Sequence, residues 1–392
     1  MDFDLAPEER AFVAEVARFL AEDVAPEVLD PAPEQLSQTV DTPAKRAFMR
    51  QLAERGWLGM SWPKEYGGQE RPGIYDFLLT ECLSRAGAPQ PGKGVGIVGK
   101  TLIRHGNEAL KQRFLPQIIR GEIEFAIGYS EPGAGSDAAN MQLRAVRDAD
   151  RGGWVLDGQK VWTTSAHFAD WYWVGARTDP SAKHRGITLF LIPMDHPGLT
   201  IRPTWTIGDE RTNEVFFDAV FVPDAFVVGQ VHHGWTYICE ALDLERFAMM
   251  PVGPLERKVE ALVAWARTAR REGEPVRRDP HVRRSVAELV TRLEVARMLQ
   301  RRVIGEAVRG GVPTVASSKY KLYMNEQSKR VADAAQDLLG PAAQLRYGEP
   351  AAPLGGRFER SYRYTVVDTI GGGTSEIQKN IIARRGLGLP AS

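Results

Sequence analysis

Apolar positions recur along this chain with two different periods, and the changes of period divide it into three stretches. Up to about residue 124 the spacing is helical. Phe12, Val13, Val16, Phe19 and Leu20 fall on one helix face after Pro7, a residue suited to a first helical turn. A second helix is predicted from Thr42-Pro43; it turns Phe48 and Leu52 inward and stops at Gly56, where a left-handed cap is sterically easy. Trp62-Pro63-Lys64-Glu65-Tyr66-Gly67-Gly68 reads as a turn. His105-Gly106 ends one helix, which gives His105 a structural role, and the next amphipathic run is expected to stop at Phe114-Leu115-Pro116.

From about Glu124 to Gly229 the period becomes two. Residues 154–156 and 160–164 read as two strands across a tight turn at Asp157-Gly158. Residues 171–176, 187–192 and 214–222 are further short β-prone runs separated by Gly, Pro and Asp. After about Gly234 helical spacing returns. Val286, Leu289, Val290, Leu293, Ala296 and Val303 outline one face of a long helix introduced by Asp279-Pro280, and a bundle is the natural way to bury such faces. Residues 341–356, rich in Pro, Gly and Ala, break the bundle as a long loop. The expectation is an α+β protein with an N-terminal helical domain (1–124), a middle β domain of barrel or sandwich type (125–233) and a C-terminal helical bundle (234–392). No internal repeat is visible.

Composition narrows the class. A chain of 392 residues exceeds what one core usually serves, and 43% apolar residues suffice for a packed globule. Lys plus Arg equals Asp plus Glu at 50 each, so no global field selects a polyanion. The arginine-rich stretch with Arg270, Arg271, Arg277, Arg278, Arg283, Arg284, Arg301 and Arg302 is interspersed with acids and lacks aromatic stacking platforms. It is read as a solvated or inter-subunit face, and nucleic acid is not expected as a partner. The two cysteines, Cys82 and Cys239, are too few for a disulfide framework or a zinc site, and each is expected to be a buried thiol on a helix. Met1-Asp2-Phe3-Asp4 lacks the basic start of a signal peptide, and no segment approaches 18 uninterrupted apolar residues. A soluble, cytoplasmic protein without membrane or metal is expected.

One glycine pattern is set aside. Gly94-Val95-Gly96-Ile97-Val98-Gly99 satisfies G-x-G-x-x-G, but a dinucleotide fingerprint follows a strand and opens a helix. Here Ala86-Gly87-Ala88-Pro89-Gln90-Pro91 precedes it, with no parallel-sheet alternation around.

Chemistry concentrates in three segments. Tyr129-Ser130-Glu131-Pro132-Gly133-Ala134-Gly135-Ser136-Asp137 combines hydroxyls with a small-residue turn whose N–H groups can face phosphate oxygens. Gly158-Gln159-Lys160-Val161-Trp162-Thr163-Thr164 ends a strand with an indole and two hydroxyls. Gly371-Gly372-Gly373-Thr374-Ser375-Glu376-Ile377-Gln378 reads as a glycine turn into a helix with a capping box of Ser375 and Gln378. The order and spacing of these segments, with the Trp62 turn, resemble the acyl-CoA dehydrogenase family over almost the whole chain.

That resemblance implies a noncovalent FAD and oxidation of the Cα–Cβ bond of an acyl-CoA thioester to the 2-enoyl-CoA. It places Ser130 at the flavin N1 and O2, Thr164 at N5, the Trp162 indole against the ring, and Gly135 and Ser136 at the pyrophosphate. Tyr129 and Thr163 complete the cofactor segments, and Thr374 and Glu376 lie over the flavin. Most members carry a catalytic Glu just before the last Gly-Thr of the C-terminal turn, where this chain has Gly372. Leu242-Asp243-Leu244-Glu245-Arg246 resembles the segment of the isovaleryl-type branch, which makes Glu245 the base; Asp243, Arg246 and Ser136 are assigned to the substrate. An apolar acyl pocket would raise the pKa of such a base and Arg246 would lower it.

Two elements depart from the family. Where an Arg-x-x-Phe-Gly segment reaches a neighbouring subunit's flavin, this chain has Arg270-Arg271-Glu272-Gly273. A Gln followed by a double Gly survives only as Gln336-Asp337-Leu338-Leu339-Gly340. Such erosion resembles actinobacterial enzymes assembled from two different dehydrogenase-like chains, some acting on steroid side-chain thioesters. The expected partners are an acyl-CoA, an acceptor such as electron-transfer flavoprotein, and a second related chain in an α2β2 tetramer, with a homotetramer as the alternative. A flavin oxidase of the same fold and a non-catalytic partner subunit are the rival readings.

Overall fold

The computed structural model describes residues 5–30, 39–248, 251–308 and 313–390, and the side chains of 243–248 and 308 lie outside the description. The first region holds α1 (Pro7–Glu22), α2 (Pro43–Glu54), α3 (Ile74–Ala86), α4 (Lys100–His105) and α5 (Glu108–Ile119). Phe12, Val16, Phe19, Leu20, Phe48 and Leu52 are buried as their spacing predicts. Helix α2 is capped by Thr42, whose hydroxyl accepts from the Lys45 N–H, and the chain leaves it through Gly56 at φ 69°. Helix α5 does not stop at Pro116. It runs on to Ile119 with the proline inside it, because Leu115 and Ile118 still face the core and outweigh the one missing donor.

The middle region is an eight-stranded sheet: β1 (Phe125–Gly128), β2 (Arg144–Asp148), β3 (Gly153–Lys160), β4 (Trp171–Arg177), β5 (Ile187–Pro193), β6 (Leu199–Trp205), β7 (Arg211–Pro223) and β8 (Val227–Val228). The order is β6-β7-β3-β2-β4-β5-β8, with β1 pairing β4 in parallel. The hairpin expected at Asp157-Gly158 is absent. Gly153 to Lys160 is one continuous strand, and the Asp-Gly pair is a bulge where the pairing with β7 shifts register and Gly158 takes φ 141°. Residues 161–164 leave the sheet.

The third region contains α6 (Gly234–Ala248), α7 (Gly253–Thr268), a short hairpin β9 (Arg270–Arg271) and β10 (Glu274–Pro275), α8 (Pro280–Val308), α9 (Thr314–Leu339), α10 (Arg357–Asp368) and α11 (Ser375–Ile381). Leu289, Leu293, Ala296 and Val303 of α8 are buried, but Val290 is exposed; it steps off the stripe that its neighbours define. Between α9 and α10 the expected loop holds two short 3-10 turns, Pro341–Gln344 and Pro353–Gly356. Cys82 is half-buried on α3, where burial pushes its thiol up to about 11, while Cys239 on α6 is exposed rather than buried. No helix among the described residues is long and apolar enough to cross a membrane, and none of their His, Cys, Asp and Glu side chains group to hold a metal.

Glu81 on α3 ties the first region to the third. It accepts from the Gln300 amide of α8 and from the Val252 N–H, and burial pushes its carboxyl up to about 7. A folded-state pKa above the unfolded value means that the native form holds the extra proton between about 4.5 and 7. This stabilisation is fully present below that window and lost as pH rises through it. Glu81→Gln, which keeps both acceptor contacts, is expected to flatten the fall in urea midpoint between pH 5 and pH 8; an unaltered pH dependence would contradict the assignment.

Candidate active site

The first two chemical segments meet through the backbone. Val161 N–H donates to the Ser130 carbonyl at 2.9 Å, where the end of β3 passes the chain leaving β1. Beneath that junction Lys160 is completely buried; its ammonium donates to Glu131 at 2.7 Å and to the Tyr129 carbonyl at 3.1 Å. Burial pushes Lys160 down to about 8 against the pull of Glu131. The Glu131 carboxylate also accepts from the N–H groups of Gln142 and Leu143, so all of its neighbours are donors. Neither Glu131 nor Lys160 is among the residues the sequence singled out for a role, although both lie inside the quoted motifs. The available signal was a Lys and a Glu in otherwise small or apolar surroundings.

Above the junction the surface is open. A Cβ at Gly133 or Gly135 would meet nothing within 4 Å, and Ser136 is exposed. Trp162 is 61% exposed and adopts φ 60°, a costly backbone region for a bulky side chain. That combination is typical of a side chain held for contact with something outside its own core. Thr163 is different. It is buried, with its hydroxyl 2.9 Å from the Tyr172 hydroxyl and its N–H donating to Asn213. The Thr163 side chain is therefore taken up by the sheet, where it anchors the loop. Asn213 donates back to the Thr163 carbonyl at 2.8 Å, leaving half-buried Thr164 at the turn's outer side. The Tyr129 hydroxyl accepts from the Trp173 indole at 2.8 Å, which pins the ring.

The C-terminal segment is tied to the bundle, where Lys321 of α9 donates to the Gly371 carbonyl at 2.7 Å. The expected box of Ser375 and Gln378 does not form. Thr374 is the N-cap and accepts from Ile377 N–H, while the Gln378 amide reaches back to the Gly373 carbonyl at 3.1 Å. Hydrogen bonds from its own N–H and the Thr374 hydroxyl hold the exposed Glu376 carboxyl below the usual range. Gly372 and Gly373 have φ of 65° and 93°. Glu245 lies on α6 with Asp243 and Arg246, and their side chains are outside the description. His105, expected to be structural, contacts Glu240 at 2.8 Å and stacks on Tyr237.

The two divergent elements are neighbours. Arg271 donates to the Leu338 carbonyl at 2.8 Å, joining the β9–β10 hairpin to the end of α9. Glu272 and Gly273 both have positive φ, as a two-residue hairpin turn requires. Beside them lies a cavity of about 760 Å³ lined by Asp333, Asp337 and Glu359 together with Lys329, Gln336 and Tyr362. Gln336 itself donates to the Phe358 carbonyl at 3.1 Å.

The chain matches the acyl-CoA dehydrogenase N-terminal domain over residues 6–122, the middle domain over 126–220 and the C-terminal domain over 232–387. It therefore belongs to the acyl-CoA dehydrogenase family. Among its relatives, acyl-CoA dehydrogenase FadE26 of Mycobacterium tuberculosis is 35% identical over 354 residues, with 88% of each chain covered. FadE29 of the same organism is 33% identical and covers 100% of this chain and 99% of its own. The Tcur3481-Tcur3483 steroid ACAD superposes with TM-score 0.90 at 36% identity, and the ChsE4-ChsE5 complex from Mycobacterium tuberculosis with 0.89 at 31%; each covers 100% of both chains.

Proposed function

We propose that this protein is an FAD-dependent acyl-CoA dehydrogenase that oxidises the Cα–Cβ bond of a bulky acyl-CoA, of the class formed on steroid side chains, to the 2-enoyl thioester. The observation that carries the reading is the hydrogen-bonded junction of Ser130 and Val161 beneath an exposed Trp162. It joins a segment with unobstructed glycines at 133 and 135 to one with an exposed planar ring, features that suit a pyrophosphate and an isoalloxazine. The flavin, when bound, supplies hydride acceptance. The chain supplies the rest: Ser130 and Thr164 orient the ring, the 133–136 turn takes phosphate oxygens, and Glu245 removes the α-proton. Electrons then pass to an acceptor such as electron-transfer flavoprotein, in a cytoplasmic setting. Turnover of a CoA-thioester panel that includes cyclic acyl groups, with an artificial acceptor and with and without oxygen, tests this. Activity independent of oxygen and best on bulky substrates supports the reading, whereas oxygen-dependent turnover identifies an oxidase.

We further propose that the active particle is an α2β2 tetramer with a second dehydrogenase-like chain. Two observations support it: the Glu272 hairpin and the 336–340 segment are in contact, and the adjoining cavity is lined by Asp333 and Asp337 against one Lys329, with Glu359 paired to Arg363, an excess of negative charge that disfavours a pyrophosphate. The similar steroid ACAD and ChsE4-ChsE5 structures are each named for two chains. Co-expression with a dehydrogenase-like neighbour is expected to give a complex holding about half a flavin per chain, the ratio that one working cradle per pair of chains requires. A homotetramer with one flavin per chain and full activity would overturn it.

A further inference from the structure

The glycine pattern that failed as a dinucleotide fingerprint has a different use. Gly94–Gly99 forms a π-helical turn, buried at Gly94, Val95, Ile97, Val98 and Gly99. A Cβ on Gly99 would lie 2.2 Å from the Trp62 ring, and one on Gly94 would lie 3.2–3.3 Å from Ile118 and Phe125. Glycine there lets the turn sit tightly between the helices and β1. The residue just before the turn is Lys93, whose ammonium donates to the Ser165 hydroxyl at 2.8 Å. Ser165 is 5% exposed and directly follows Thr164.

Other anchors of this loop come from the sheet or the chain entering it: Ser130 holds Val161, and Tyr172 and Asn213 hold Thr163. Lys93 reaches the same loop from the helical region. Its surroundings are built for the charge. Glu124 lies close enough to interact with both Lys93 and Arg46, and a Cβ on Gly92 would be 2.6 Å from the Glu124 carboxylate. Arg46 holds the far end of the loop through Asp170 at 2.9 Å and through the Phe168 carbonyl. The flavin-facing turn is thereby strapped at its middle and its end to the helices.

We propose that Lys93 is a positioning residue of the flavin site: through Ser165 it fixes the 161–165 loop and thus the placement of Thr164 and Trp162. This rests on the dehydrogenase reading. The test titrates apoprotein with FAD and follows hydrogen exchange of loop amides in wild type, Lys93→Met, Ser165→Ala and the double variant. A hydrogen bond from a charged donor predicts about tenfold weaker FAD binding and faster exchange at residues 161–166 in either single variant. The double variant should be no worse than the poorer single variant, because both remove one interaction. Lys93→Arg should recover most of the affinity. Losses that multiply in the double variant, or unchanged affinity in Ser165→Ala, would overturn the proposal. If Lys93→Met does not fold, Ser165→Ala decides alone, since it deletes only a hydroxyl. Failure of the wild type to bind FAD would instead overturn the dehydrogenase reading.

Discussion

Glu245→Gln is expected to leave FAD bound and to slow its reduction by acyl-CoA by about 10²–10⁴-fold, the usual contribution of a general base. The substitution keeps the shape of the side chain and removes the basic oxygen. The argument starts from the C-terminal turn, where the position that carries the base in most members of the family is Gly372. That residue has φ 65°, a conformation that glycine adopts freely and a glutamate only at a cost. The sequence offers one other carboxylate in a family pattern for this role, on α6. Rapid mixing with substrate under anaerobic conditions measures the effect, and near-normal reduction would remove Glu245 from the mechanism. A glutamate placed at Gly372 is correspondingly expected to rescue poorly unless the turn rearranges.

The second large effect concerns stability. Lys160→Met should destabilise the apoprotein by about 3–5 kcal/mol, because it leaves the Glu131 carboxylate buried without its hydrogen-bonded cation. Glu131 is 7% exposed, and it keeps hydrogen bonds only from the Gln142 and Leu143 N–H groups, with the Arg177 guanidinium near enough to act on it through space. Combining Lys160→Met with Glu131→Leu should recover part of that loss, since a buried ion pair can be replaced by apolar groups at little cost. Recovery stops short because two backbone donors then lose their acceptor, at about 1–3 kcal/mol each. Urea unfolding of the two single variants and the double variant checks this. A Lys160→Met shift below about 1 kcal/mol would show that the pair is not what holds β3 against the 129–131 segment.

Much of the architecture was legible because long amphipathic periods leave few alternatives. The faces of α1 and α2, the Thr42 and Gly56 boundaries and the inward residues of α8 all follow from spacing. The misreadings share a cause: a strong local signal overruled by tertiary pairing. Asp157-Gly158 carries a turn signature, but β3 is paired on both sides by β2 and β7, and the sheet absorbs the glycine as a bulge. Pro116 carries a stop signal, yet the core contacts of Ile118 continue the helix. Strands β1, β2 and β6 were missed because they are short or alternate weakly; β6 has Pro203 within it and mostly exposed side chains.

The site divides in the same way. Ser130, Ser136, Trp162 and Thr164 were proposed by pattern, and the structure joins their two segments through Val161 and Ser130. Thr163 and Thr164 look alike in sequence, but the loop buries the first against Tyr172 and leaves the second half-buried. Lys160, Glu131 and Lys93 were not singled out. Each acts through a partner 29 or 72 residues away, a distance that no local motif encodes.

The central claim is that these segments form a flavin site that dehydrogenates an acyl thioester. The most direct test mixes the purified holoprotein, with its partner chain if one co-purifies, with a bulky acyl-CoA in the absence of oxygen, and quantifies both flavin and product. The account predicts bleaching of the flavin with one 2-enoyl-CoA formed per flavin reduced. A flavin that stays oxidised with every acyl-CoA, or bleaching without an enoyl product, would contradict it.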